Sequence, residues 1–168
     1  MKKIYLLFLP ILLFSCMESS ENVEMERLLG VWMHEFSNED ETIESTISFI
    51  ADGTYIIENR RVQSSEGFNP GLIDAYKGKF SLEAGKLTFS DKIFFFTEDF
   101  VNPPATIEAL RQGENVKYPK QTAKVSFEEN NKVMVLLYDC PGPEPEEDEV
   151  LVECLDLGPL PYNQVKNF

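Results

Sequence analysis

Thr42-Ile43-Glu44-Ser45-Thr46-Ile47-Ser48-Phe49, followed through Asp52-Gly53 by Thr54-Tyr55-Ile56-Ile57-Glu58-Asn59-Arg60, is the stretch that decides the fold. Ile43, Ile47 and Phe49 share one face with Ser45, while Thr42, Glu44, Thr46 and Ser48 share the other. A period of two is the signature of a strand with one buried face. Asp52-Gly53 supplies a tight turn that needs positive φ, so Thr54–Arg60 returns as the partner strand.

The same grammar runs along most of the chain. In Ala75–Leu82, Tyr76, Phe80 and Leu82 oppose Lys77, Lys79 and Ser81, and Ala84-Gly85 turns this strand into Lys86–Ser90, with Leu87 and Phe89 inward. Ile93-Phe94-Phe95-Phe96 is apolar on both faces, which requires a cover on its second side. Gln121–Glu128 alternates with Ala123, Val125 and Phe127 inward, and Glu129-Asn130-Asn131 turns it into Lys132–Asp139. With Gly30–Phe36 at the start and Val150–Leu155 at the end, the pattern predicts an all-β protein: an up-and-down antiparallel barrel of eight or nine strands, with a sandwich as the alternative. Local connections favour the barrel. Two short helices are expected, Val23–Leu29 and Pro104–Gln112, the latter with proline near its start and Gly113 past its end. Two long connections, Arg61–Leu72 and Phe100–Lys120, have the length of binding loops. The second could equally cover the phenylalanine run with Ile107 and Leu110.

Upstream of the strands, Lys2 and Lys3 precede an apolar run from Ile4 to Phe14 broken only by Pro10. This run is shorter than the roughly 20 residues that span a bilayer and has the form of an export signal. Its end, Leu13-Phe14-Ser15-Cys16, resembles the lipobox of bacterial lipoproteins, with a bulkier residue at Phe14 than is usual there. The resemblance implies cleavage before Cys16 and lipidation of that cysteine. A multi-chain anchor would then tie the protein to the membrane, each buried methylene contributing about 0.8 kcal/mol. The expected organisation is a signal peptide over 1–15, a lipidated tether over 16–26, the barrel over 27–158 and a C-terminal tail over 159–168. The expected location is the cell envelope, as an outer-membrane lipoprotein on the periplasmic face or the cell surface.

Removing the signal would leave 29 acidic residues against 13 basic ones, a net charge of −16, compared with −14 for the whole chain. Phosphate backbones are gripped by clustered Lys and Arg, so nucleic acid is not an expected partner. Scattered acidity mainly supports solubility. With Cys16 lipidated, Cys140 and Cys154 remain as a candidate disulfide in an oxidising compartment. It would close a loop of about 15 residues, for which chain entropy suggests about 3 kcal/mol.

Leu28-Leu29-Gly30-Val31-Trp32, a short helix followed by Gly-x-Trp at the mouth of the first strand, resembles the start of the lipocalin-like, or calycin, barrels. Phe49–Tyr55 and Tyr76–Phe89 resemble the following hairpins of lipocalin-like domains in small bacterial lipoproteins. The resemblance implies an indole plugging one end of a barrel and a small apolar or amphipathic ligand inside it. Many lipocalins carry an arginine near the last strand that stacks on this tryptophan. Here no arginine follows Arg111, and Lys124 and Lys132 are the available substitutes.

No nucleophile–base pair, metal set or phosphate cradle is legible, so neither enzymatic activity nor a cofactor is expected. The single histidine, His34, shares a face with Trp32 and is either a hydrogen-bonded structural group or a ligand contact. Pro141–Glu149 is acidic and stiffened by proline, and a solvated hairpin loop suits it better than a calcium site. The candidate pocket or barrel-interior residues are Trp32, His34, Tyr55, Tyr76, Phe80, Phe89, Phe127 and Tyr138. They either line a ligand cavity or fill the interior. In the second case the protein would be an envelope interaction or inhibitor module, docking on a protein partner through its loops.

Overall fold

The protein is described by a computed structural model over residues 25–64, 67–114, 118–139 and 158–166. After one helical turn, α1 (Met25–Leu28), five strands follow in succession: β1 (Gly30–Ser37), β2 (Glu41–Phe49), β3 (Thr54–Ser64), β4 (Gly71–Glu83) and β5 (Lys86–Phe96). A two-residue strand β6 (Arg111–Gln112), then β7 (Gln121–Glu128), β8 (Val133–Asp139) and β9 (Leu160–Lys166) complete the set. Neighbours pair antiparallel in the order β1-β2-β3-β4-β5-β7-β8-β9, and β9 returns to β1, so eight strands close a barrel and β6 hangs on the edge of β5. The all-β barrel expected from the alternation is the architecture observed.

Local chemistry sets the hairpins. Asn38 Oδ1 accepts the amides of Asp40 and Glu41, both at 2.8 Å, and turns β1 into β2. Asp52 Oδ1 accepts from the Thr54 amide at 2.9 Å, while Gly53 takes φ 83°. Ala84 and Gly85 both have positive φ, 49° and 75°, the backbone that a two-residue hairpin demands. Glu129, Asn130 and Asn131 do likewise between β7 and β8.

Two apolar clusters form among the described residues. The larger lies inside the barrel and contains Leu28, Trp32, Ile47, Phe49, Tyr55, Phe80, Leu87, Phe89, Val125, Met134, Leu136, Leu160 and Tyr162. The smaller joins Leu72, Ala75 and Leu110, with Phe95 and Ile107 packed against it. It accounts for the doubly apolar run of β5: Phe94 stacks on Tyr76, which packs against the interior cluster, while Phe95 lies under the β5–β6 connection. That connection is tied down by Leu72 N–H to Pro104 O at 2.7 Å and Thr97 N–H to Ile73 O at 2.8 Å.

Three expectations change. The helix expected over Pro104–Gln112 is one 3-10 turn, Ile107–Ala109, followed by β6. Arg111 and Gln112 pair with Phe96 and Phe95, and this ladder competes with a helix too short to nucleate by itself. Lys86–Ser90 and Ile93–Phe96 are one strand, β5, bent at Asp91, whose φ is 51°. The segment 159–168 is not a tail beyond the barrel, because Leu160–Lys166 is the closing strand. It pairs with β8 through Leu160–Asn163 and with β1 from Asn163 onward. Pro161 within the run reads as a strand breaker, yet it is tolerated opposite Val135, with Leu160 and Tyr162 buried on either side. The strand expected over Val150–Leu155, the pair Cys140 and Cys154, the acidic run Pro141–Glu149, and the N-terminal segment with Cys16 lie outside the described residues.

Candidate binding site in the barrel interior

One end of the barrel is packed shut. Trp32 is fully buried, its indole N–H donates to the Leu28 carbonyl at 2.8 Å, and its ring lies 5.5 Å from that of Phe127. The bond folds α1 under the barrel as a plug. Above this floor, Phe49 meets Phe80 edge-on at 4.9 Å, and Tyr55 meets Phe89 in the same manner at 4.9 Å. Such tilted pairs match the positive edge of one ring to the negative face of the next.

The other half of the interior is different in character. On β5 the bend at Asp91 reverses the parity of the strand, and the β4–β5 register shifts between Lys77 and Lys79. An unbroken alternation from Leu87 and Phe89 would turn Lys92 and Phe94 outward. With the bulge, Lys92 and Phe94 meet Tyr76, and Ile93 is left exposed. The Lys92 Nζ lies 5.1 Å from the Tyr76 ring centroid and 5.5 Å from that of Tyr118, and donates to Gln121 Oε1 at 3.3 Å. This cluster sits where β5 has parted from β7, with which it pairs only over Lys86–Phe89.

Burial governs the titration of this region. It lowers the pKa of Lys92 and raises that of Asp74, whose carboxylate accepts from the Asn59 amide at 2.6 Å. Tyr76 is pushed up to about 12 by burial, with smaller contributions from Asp74 and Tyr118. Tyr55, Tyr138 and Tyr162 are also raised, again chiefly by burial. The Tyr138 hydroxyl meets that of Tyr162, which also meets Ser45. The Tyr55 side chain is fully buried, and its hydroxyl has no hydrogen-bond partner among the described residues.

Of the residues proposed from sequence, Trp32, Tyr55, Phe80 and Phe89 belong to the buried interior cluster, and Tyr76, Phe127 and Tyr138 pack against it. His34 is placed at the seam between β1 and β9. Its Nδ1 donates to the Pro161 carbonyl at 2.6 Å, and its ring contacts Phe36 at 4.2 Å and Tyr162 at 5.5 Å. A bond to backbone makes it a fastening between strands whose ladder stops at Asn163. Sequence reasoning missed Lys92, Phe94, Tyr118, Asp74 and Tyr162. The doubly apolar phenylalanine run was the available signal for Phe94. The inward turn of Lys92 depends on a bulge that leaves no mark in the hydrophobic pattern.

The described residues contain no group of three or more His, Cys, Asp and Glu arranged to hold a metal ion, and no helix among them is long and apolar enough to cross a membrane. Fold and site together define an eight-stranded antiparallel barrel, closed by a tryptophan at one end and lined by phenols and a lysine toward the other. In comparisons with known proteins, the chain matches no family model, no curated protein and no solved structure.

Proposed function

We propose that this protein is a lipid-anchored, extracytoplasmic barrel that holds a small amphipathic molecule in the half of its interior away from Trp32. The observation that carries the reading is the cluster of Lys92, Tyr76, Phe94 and Tyr118, a cation and two phenols on an aromatic wall where β5 has parted from β7. Binding sites of this kind are mostly apolar with a few placed polar groups, and Tyr76, Phe94, Tyr118 and Lys92 have that composition. The address rests on the sequence: the charged and apolar leader ending at Cys16, with Cys140 and Cys154 as a disulfide formed after export.

Native mass spectrometry of protein taken from its own membrane, followed by solvent extraction, tests the binding reading. A recovered small molecule that dissociates on unfolding is expected, and repeated recovery of ligand-free protein overturns the reading. The anchor is tested separately by the mass of the mature N-terminus, which should begin at a diacylated and N-acylated Cys16.

A second reading, a barrel that docks on another envelope protein, has its own support. The segment before β4 and the connection after β5 are joined by Asn69 N–H to Val101 O at 2.8 Å and by Asn69 to Asn102 at 2.7 Å. Beside this junction Phe68, Phe100 and Val101 are exposed. Pull-downs from envelope extracts that survive Phe68→Ser and Phe100→Ser would reject it.

A further inference from the structure

The Lys92 ammonium is unusual in this chain. Acidic residues outnumber basic ones by 29 to 15, yet no carboxylate lies within ion-pair distance of Lys92 among the described residues. By contrast, Arg61, Lys79, Lys86 and Arg111 each have an acidic partner at 3.4 Å or closer. What surrounds Lys92 is the face of Tyr76, the face of Tyr118 and the Gln121 amide oxygen. Phe94 lies 4.9 Å from Tyr76 and 6.5 Å from Tyr118, so the ammonium projects from a wall of three aromatic rings.

Aromatic faces and one amide oxygen are weak compensation for a cation taken largely out of water. An anion brought to the same place would form a charge-assisted hydrogen bond in a low-dielectric setting, where such bonds are strongest. Its apolar remainder would lie against Tyr76, Phe94 and Tyr118.

We infer that Lys92 is the anchoring residue for a singly anionic, amphipathic ligand: a carboxylate or sulfonate head held by the ammonium, with a flat or apolar body on the Tyr76, Phe94 and Tyr118 rings. The inference rests on the binding reading above and specifies the chemical class of its ligand.

Two fluorescent probes with the same apolar body test it on the full-length chain: 8-anilinonaphthalene-1-sulfonate, which is anionic, and N-phenyl-1-naphthylamine, which is neutral. Both brighten on entering an apolar site. The wild-type chain should bind both, each displacing the other, with the sulfonate bound more tightly. Lys92→Met should weaken the sulfonate roughly ten- to a hundredfold and leave the neutral probe within about twofold, as expected for loss of one charge-assisted bond. Lys92→Arg should keep most of the preference. If Lys92→Met does not fold, Lys92→Gln carries the same comparison with a side chain of similar length. Sulfonate binding unchanged in the neutral variant, or both probes lost equally, overturns the assignment of Lys92 while leaving the binding reading intact. Failure of both probes to bind the wild-type chain overturns both readings, and failure of the sulfonate alone overturns the assignment of Lys92.

Discussion

Tyr55 and Gly78 face one another across the β3–β4 ladder, and the phenol ring occupies the space that any side chain at 78 would need. A Cβ built on Gly78 would lie 2.7 Å from Tyr55 Cε1 and 2.6 Å from the Ser90 carbonyl oxygen. The glycine is adjacent to the bulge at Asp91, so one small residue both admits the ring and lets β5 bend past it.

Gly78→Ala is therefore expected to destabilise the barrel by about 1–3 kcal/mol through overpacking. Tyr55→Ala should relieve the ring's share of that clash and leave the share of the Ser90 carbonyl, giving a partial coupling between the two substitutions that urea unfolding of the single and double variants would measure. Strict additivity would show that the ring and the glycine are not in contact.

Tyr55→Phe removes the orphaned hydroxyl and keeps the ring. Its unfolding free energy should equal or exceed that of the parent, by up to about 1 kcal/mol, since no hydrogen bond among the described residues is lost and a desolvated polar atom is removed. A loss of more than about 1 kcal/mol would mean that the hydroxyl has a partner in the folded protein.

Five of the six tyrosines, at 55, 76, 118, 138 and 162, have raised pKa values, with Tyr76 at about 12. Above the ordinary phenol value of about 10, the unfolded chain loses phenolic protons that the folded chain keeps. The unfolded state then binds fewer protons, so stability falls as pH rises from about 10 toward 12. An ultraviolet titration should show little phenolate near pH 10 and then a cooperative rise that coincides with loss of the far-ultraviolet strand signal. Smooth ionisation at pH 10 with the fold intact would contradict the burial of these rings.

Asp74 has the opposite consequence from an exposed carboxylate. Burial raises its folded pKa above the unfolded value of 3.8, so the folded state holds its proton longer. Stability from this group is fully present below pH 3.8 and is lost as pH rises through the folded value. Asp74→Asn keeps an oxygen for the Asn59 amide and removes the charge, so it should raise the melting temperature at pH 7 and change it little at pH 3.5. An equal effect at both pH values would point to packing rather than charge.

Legibility in the sequence followed the range of the interaction. Thr42–Phe49 and Gln121–Glu128 were readable because alternation and turn chemistry are local, and Asp52-Gly53, Ala84-Gly85 and Glu129-Asn130-Asn131 adopt the positive φ their composition favours. Leu160–Lys166 was not readable as a strand, because Pro161 and the polar Asn163-Gln164 mask the buried pair Leu160 and Tyr162. Ile107 and Leu110 were legible as a cover, but their conformation depended on the ladder offered by Phe95 and Phe96.

By itself, then, the amino-acid order determined that this chain makes hairpins and which side chains of most strands turn inward, since these depend on neighbours a few residues apart. Only the tertiary structure decided that the last strand closes the ring against the first, and that Lys92 enters among Tyr76, Phe94 and Tyr118. The first needs segments 130 residues apart to pair, as Met33 does with Asn163. The second needs one residue of extra backbone at Asp91, which reverses every side chain beyond it and can be sensed only against the neighbouring strand.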